Sequence, residues 1–215
     1  MNDYAKARTR MVQEQLITRN ITDQRVLQVM SEVPRHIFVE DALRAQAYSD
    51  YPLPIGEGQT ISQPYIVALM TQMLGLRGHE KVLEVGSGCG YQTAVLAKLC
   101  AQVYSLERIK KLLSNARKNL DLTRCFNALC KAADGTLGWR EHAPYDAIIV
   151  TAGGPEIPQA LIEQLADPGV MVIPVGDRST QQLTKVTKHQ GEIRIETGEL
   201  VRFVNLIGAQ GWSLG

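Results

Sequence analysis

The strongest constraint on this chain is an apolar run that ends in an acid and then opens into alternate glycines: Val82-Leu83-Glu84-Val85-Gly86-Ser87-Gly88-Cys89-Gly90-Tyr91. The residues that follow read as a helix. A strand that turns into a helix through glycines presents bare backbone to a ligand, because glycine accepts positive φ and has no Cβ to block approach. The helix beyond it offers unpaired N–H groups at its start. The spacing separates the possible ligands. A dinucleotide fingerprint is G-x-G-x-x-G. Gly86 and Gly88 fit it, but the third position is Tyr91, and the third glycine sits one residue early, at Gly90.

Downstream of the loop, strands alternate with helices. The sequence predicts strands over residues 81–85, 102–107, 127–132, 147–151 and 170–174, with helices over 91–99, 109–119 and 158–165. Such alternation predicts an α/β fold, doubly wound on a mostly parallel sheet. Residues 182–189, 192–196 and 200–207 are strand-like, with a turn at Gln190-Gly191, so a C-terminal antiparallel hairpin completes a seven-stranded sheet. Residues 1–60 differ and read as an N-terminal helical extension packed on a domain over 61–215, a single compact unit overall. The extension predicts helices over 6–18, from a cap at Thr22 to Pro34, and over 40–45. Prolines and glycines over 51–64 forbid a long regular element, and a helix resumes over 64–74 with Pro64 in its first turn.

Charge and composition exclude several classes. Net charge is +1, from 23 basic and 22 acidic residues with no basic stripe, which argues against a duplex nucleic-acid surface. No apolar run approaches the roughly 20 residues that cross a membrane, and the first residues lack the apolar core of a signal peptide. The expectation is therefore a cytoplasmic protein. Cys89, Cys100, Cys125 and Cys130 form no C-x-x-C pair and read as reduced, mostly buried thiols. The four histidines have no metal-ligand spacing, so no metal is expected. No heptad or long apolar edge stands out, and a monomer is expected.

The pattern E-x-G-x-G-x-G resembles the first motif of the class I S-adenosylmethionine (AdoMet) methyltransferases. That resemblance implies that Glu84, Gly86, Ser87, Gly88 and Gly90 cradle the methionine and ribose portions of the cofactor. Glu107 ends the second strand, 21 residues after Gly86, where doubly wound folds place an acid that accepts from ribose hydroxyls; the alternative is a solvated acid beside Arg108 and Lys110. Asp134-Gly135 follows the third strand, either as a simple turn or with Asp134 accepting from the adenine amino group. Cys89 has no local histidine partner and reads as a space-filling residue. The fourth-strand exit, Thr151-Ala152-Gly153-Gly154-Pro155, lacks the Asn/Asp-Pro-Pro-aromatic quartet of many nitrogen methyltransferases.

Three more segments, read together, resemble one family: Val33-Pro34-Arg35-His36-Ile37-Phe38-Val39, the block from Leu53 through Thr60-Ile61-Ser62-Gln63-Pro64-Tyr65, and Tyr145-Asp146-Ala147-Ile148-Ile149-Val150-Thr151-Ala152. They are similar to the protein-L-isoaspartate (D-aspartate) O-methyltransferases, over about residues 8–207. The resemblance implies a Rossmann-like methyltransferase fold and transfer of the AdoMet methyl group to the free α-carboxylate of L-isoaspartyl residues in damaged proteins and peptides. The products are S-adenosyl-L-homocysteine and a methyl ester, which cyclises to a succinimide. It implies Ser62 as the catalytic residue, Thr60, Ile61, Glu107, Asp134 and Gly135 at the cofactor, and Val204, Asn205 and Leu206 with Ser62 along the substrate.

A carboxylate acceptor is already ionised at pH 7, so Ser62 has only to orient it by hydrogen bonding. The alternative is that Ser62 or Gln63 caps the helix at Pro64. Two departures mark the substrate side: Asn205 where the family usually has proline, and Gly153-Gly154 where Ala-Pro-Pro is frequent. They leave open a same-fold methyltransferase with a small-molecule or other acceptor. A non-catalytic AdoMet-binding protein is the other alternative.

Overall fold

The computed structural model describes residues 3–213. Helix α1 (Asp3–Met11) continues through a π-helical stretch (Val12–Leu16) and a 3₁₀ turn (Ile17–Arg19), so the first helical segment is longer than the sequence predicts. Helix α2 (Gln24–Glu32) is capped by Asp23 rather than Thr22: the Asp23 carboxylate accepts from the N–H groups of Arg25 and Val26. Thr22 instead gives its N–H to Gln72. Two 3₁₀ turns follow, Arg35–Phe38 and Asp41–Gln46, the second in place of the expected short helix.

Strands β1 (Leu53–Gly56) and β2 (Gln59–Ile61) make a small antiparallel hairpin within the proline- and glycine-rich stretch. Because β2 runs across residue 60, the N-terminal extension and the following domain share an element. Helix α3 (Pro64–Leu74) begins on its proline, with Gln63 as N-cap.

The alternating region gives β3 (Lys81–Val85), α4 (Tyr91–Ala97), β4 (Gln102–Glu107), α5 (Lys110–Leu122), β5 (Ala128–Ala132), β6 (Tyr145–Val150), α6 (Gln159–Gln164) and β7 (Leu165–Gly176). Strands β8 (Gln181–His189) and β9 (Glu192–Val201) complete a seven-stranded sheet in the order β5-β4-β3-β6-β7-β8-β9. Pairing is parallel from β5 to β7 and antiparallel for the last two strands. The central strands carry near-continuous apolar runs because both of their faces are covered. Val82 packs into one core with the N-terminal helices, while its neighbour Leu83 packs into a second core on the opposite face, as the period of two requires.

The expected strand over 200–207 is a correction. The chain leaves the sheet after Val201. Residues 204–206 then cross the end of β6 and bond to Gly153. The exit is fixed by Gln181, buried at the start of β8, whose Oε1 accepts the Phe203 N–H. No helix among the described residues is long and apolar enough to cross a membrane.

Candidate active site

Strand order alone marks one place on this sheet. From β3 the chain crosses outward to β4 on one side, and β6 lies on the other, so the carboxyl ends of β3 and β6 bound the switch point where ligands bind in open sheets. Val85 pairs with Val150 there, and the next residues are Gly86 and Thr151. Gly86 has φ +100°, and a Cβ at this position would run into Thr151 Oγ1. The Thr151 hydroxyl in turn lies 2.7 Å from the Gly86 carbonyl and 3.1 Å from that of Val85. The glycine turn is thereby pinned from the neighbouring strand.

A second brace comes from Glu107 at the end of β4. Its two carboxylate oxygens accept from the N–H groups of Gly88 and Ile109, each at 2.9 Å. Each oxygen keeps a further lone pair, and the residue lines the adjoining cavity.

That cavity holds about 560 Å³ of empty space counted out to its open mouth. Gly86, Gly88, Glu107 and Gly135 line it, with Ile55 and Thr60 of the β1–β2 hairpin above and Leu112 below. Gly135 is required by close approach, since a Cβ there would strike Val85 Cγ1. A bare-backbone cradle, an acid with free lone pairs and an apolar lid fit an adenosine-bearing cofactor. A smaller cleft beside it is lined by Thr60, Ile61, Ser62, Ser87, Gly88 and Tyr91. An open groove, about 1320 Å³ on the same measure, runs from Ser62 past Arg19 and Glu199 to Val204. Thr60 and Thr151 belong to the walls of all three, so groove and cofactor cavity meet at these two threonines, with Ser62 alongside.

Ser62 does not cap α3, whose N-cap Gln63 makes no side-chain capping bond. Among the described residues the Ser62 hydroxyl has no hydrogen-bond partner, while its carbonyl accepts from Arg35 at 2.7 Å. Of the expected cofactor residues, Ile61 and Ser87 line only the smaller cleft, and three line neither it nor the cavity. Gly90 starts α4 with φ +90° and packs on Ala116. Glu84 is fully buried behind the loop, accepting from the hydroxyls of Thr93 and Ser105, and Ser105 in turn bonds Ser87. Asp134 caps the 3₁₀ turn Gly135–Leu137 through Thr136 and also takes the Ala209 N–H at 2.7 Å. The Asp134 carboxylate is thus engaged on a turn and clamps the C-terminal loop.

The C-terminal triplet is split. Val204 lines both cavity and groove, whereas Asn205 and Leu206 line the cavity only. Cys89 is buried, and burial pushes its thiol up to about 11, so it is neutral at pH 7 and no nucleophile. Arg19 and Glu199, unmarked by any local pattern, both line the groove and both contact Tyr65. Tyr65 gives its hydroxyl to Glu199 at 2.7 Å, and the Arg19 guanidinium, paired with Asp50, lies over the Tyr65 ring.

Comparison with known proteins adds a consistent set of likenesses. Residues 6–211 match the family described as protein-L-isoaspartate(D-aspartate) O-methyltransferase. A protein-L-isoaspartate O-methyltransferase of Trichlorobacter lovleyi is 56% identical over 215 residues, covering 100% of this chain and 99% of the relative. One of Desulfotalea psychrophila is 54% identical over 212 residues, covering 99% of each. A solved protein-L-isoaspartate O-methyltransferase superposes with a TM-score of 0.84 at 26% identity, covering 96% of this chain and 67% of that one. A Plasmodium falciparum structure, described as a putative member in complex with S-adenosyl-L-homocysteine, gives 0.81 at 28% identity over 93% of this chain and 98% of its own.

Proposed function

This chain belongs to the protein-L-isoaspartate(D-aspartate) O-methyltransferase family, and from that premise we propose how its residues divide the reaction. It is an AdoMet-dependent methyltransferase that esterifies the free α-carboxylate of L-isoaspartyl residues in damaged proteins, the step that opens their repair through a succinimide.

Bound at the glycine loop, AdoMet supplies an electrophilic methyl group on a sulfonium centre. Gly86 and Gly88 admit it by leaving backbone bare, and Thr151 keeps the turn in that shape. Glu107 accepts the ribose hydroxyls with the lone pairs its backbone bonds leave free. Gly135, Leu112 and Ile55 enclose the adenine end, and Asn205 and Leu206 close the cavity. Glu84, Gly90 and Asp134 act as supports of the loop and its neighbours.

The peptide lies in the groove along residues 199–204. The acceptor carboxylate is a competent nucleophile as it stands, so no general base is needed and none is built here. Alignment carries the catalysis. Ser62 donates its unengaged hydroxyl to one carboxylate oxygen and leaves the other toward the methyl group. One observation carries this reading: Ser62 lines both the groove and the cleft beside the cofactor cavity, next to the threonines that all three share, with its hydroxyl uncommitted. We further read the chain as a monomer and as cytoplasmic, its four free cysteines suiting a reducing compartment.

The test is methylation of an isoaspartyl peptide with labelled AdoMet, the normal aspartyl peptide serving as control. A base-labile methyl ester on the first peptide only is expected. Ser62→Ala is expected to lower kcat by at least about tenfold while AdoMet affinity stays within about threefold. Unchanged kinetics would remove Ser62 from the mechanism.

A further inference from the structure

The Val33–Val39 motif identifies the family, but its chemistry is not used by the mechanism above. Its third residue, Arg35, is fully buried. Nε donates to the Ala47 carbonyl and Nη2 to the Ser62 carbonyl, each at 2.7 Å, and Nη1 is buried without a partner. The guanidinium lies 4.9 Å from the centre of the Tyr91 ring, at the end of the glycine loop. Phe38, from the same motif, meets that ring edge-on. No Asp or Glu is among the groups acting on Arg35.

A buried cation without an anion is costly, and proteins seldom keep one unless something neutralises it. Here the missing charge has an evident source. The acceptor is an anion, and the mechanism brings it beside Ser62, whose carbonyl Arg35 already holds.

Resting on that reading of the site, we propose that Arg35 is a positioning residue for the acceptor carboxylate: from behind the Ser62 segment, and lining neither groove nor cavity itself, it pins that segment and supplies a fixed positive charge whose field the arriving anion enters. Two links therefore pass through one side chain. The bond to Ser62 sets where the hydroxyl stands, and the charge, held in a water-poor interior, favours the ionised acceptor over a neutral isostere. Lysine would keep the charge but not the planar fork that reaches two carbonyls.

The experiment compares two peptides of one sequence, with the isoaspartyl α-carboxyl either free or amidated. Their binding to enzyme saturated with S-adenosyl-L-homocysteine is measured by calorimetry for wild type, Arg35→Met and Arg35→Lys. Wild type is expected to prefer the carboxylate by at least about tenfold. Arg35→Met is expected to bring that preference to within about threefold of unity. Arg35→Lys is expected to keep most of it while kcat falls by about tenfold, because Ser62 is no longer pinned.

Equal weakening of both peptides in Arg35→Met, or an intact preference, overturns the proposal by showing a role in folding alone. If Arg35→Met does not fold, Arg35→Lys decides: lost preference or wild-type kcat overturns it. A wild-type enzyme that fails to methylate the free peptide would overturn the functional reading instead. The two failures are thus distinguishable.

Discussion

Glu84 sits at the centre of the sheet, and burial pushes its carboxyl up to about 7, against the hydrogen bonds from Ser105 and Thr93 that pull it down. In the unfolded chain the same group ionises at its ordinary value of 4.5. Between these two values the native state holds a proton that the unfolded state has released, so stability falls as pH rises through that window. Glutamine has no such titration. The stability of Glu84→Gln relative to wild type should therefore rise by on the order of 3 kcal/mol between pH 4.5 and 8. Urea unfolding across that range measures it, and a gap that does not move with pH would contradict the assignment. At Gly86 the constraint is steric. Gly86→Ala forces a Cβ toward Thr151 Oγ1 at φ +100°, with strain of about 1–3 kcal/mol. AdoMet affinity should fall by at least about tenfold, and adding Thr151→Ala should recover part of the loss. Calorimetric titration of the single and double variants tests the coupling.

At the scale of elements, the segment after β9 explains both departures from the family pattern. Asn205 and Gly153 lie 52 positions apart in the sequence, yet they bridge each other. The bonds run from Gly153 N–H to the Val204 carbonyl and from Leu206 N–H to the Gly153 carbonyl, each at 2.8 Å. They bypass the Asn205 N–H, which is the group a proline lacks. Residue 205 thus sits between two anchored neighbours, and a proline there would cost this bridge no hydrogen bond. Asn205→Pro should leave peptide KM unchanged and stabilise the protein by less than about 1 kcal/mol. A loss of more than about 2 kcal/mol in urea unfolding would show that the N–H is used after all. By contrast, Gly153 and Gly154 both spend their N–H groups, the second on the Pro174 carbonyl, so the Gly-Gly exit fastens the C-terminal crossing to β6 and β7.

The whole molecule couples its N-terminal extension to the catalytic sheet through one core. Met11, Leu16 and Met30 belong to the same cluster as Val82, Ala94 and Val172, and Tyr91 is packed by Phe38 and bonded to Met30 through its hydroxyl. Arg25 reaches across to the carbonyls of Leu76 and Leu99. Because they share one apolar core, extension and sheet should melt together. Calorimetry is expected to give one transition whose van't Hoff and calorimetric enthalpies agree. An early separate transition, removed by deleting the extension, would show two folding units. The coupling also makes functional sense: the extension supplies Arg35 behind Ser62 and Arg19 at the groove wall.

The sequence by itself determined the features that are encoded locally. Apolar runs and their period placed β3, β4, β6 and α3, and the glycine spacing separated an AdoMet loop from a dinucleotide loop, because backbone conformation and close approach depend on residues within a few positions. The Thr60-Ile61-Ser62 block pointed to the acceptor only through its resemblance to the family. What only the tertiary structure decided are relations across the sheet. Thr151 meets Gly86 at a separation of 65 residues, Tyr65 meets Glu199 at 134, and Arg35 meets Ser62 at 27. Those contacts follow from strand order and from where the chain leaves β9, and no local pattern records either. The same holds for Glu84 and Asp134: their types and spacing suited a cofactor contact, but the direction of a side chain is set by the packing around it. Here packing turned one carboxyl into the core and spent the other on a turn and a clamp.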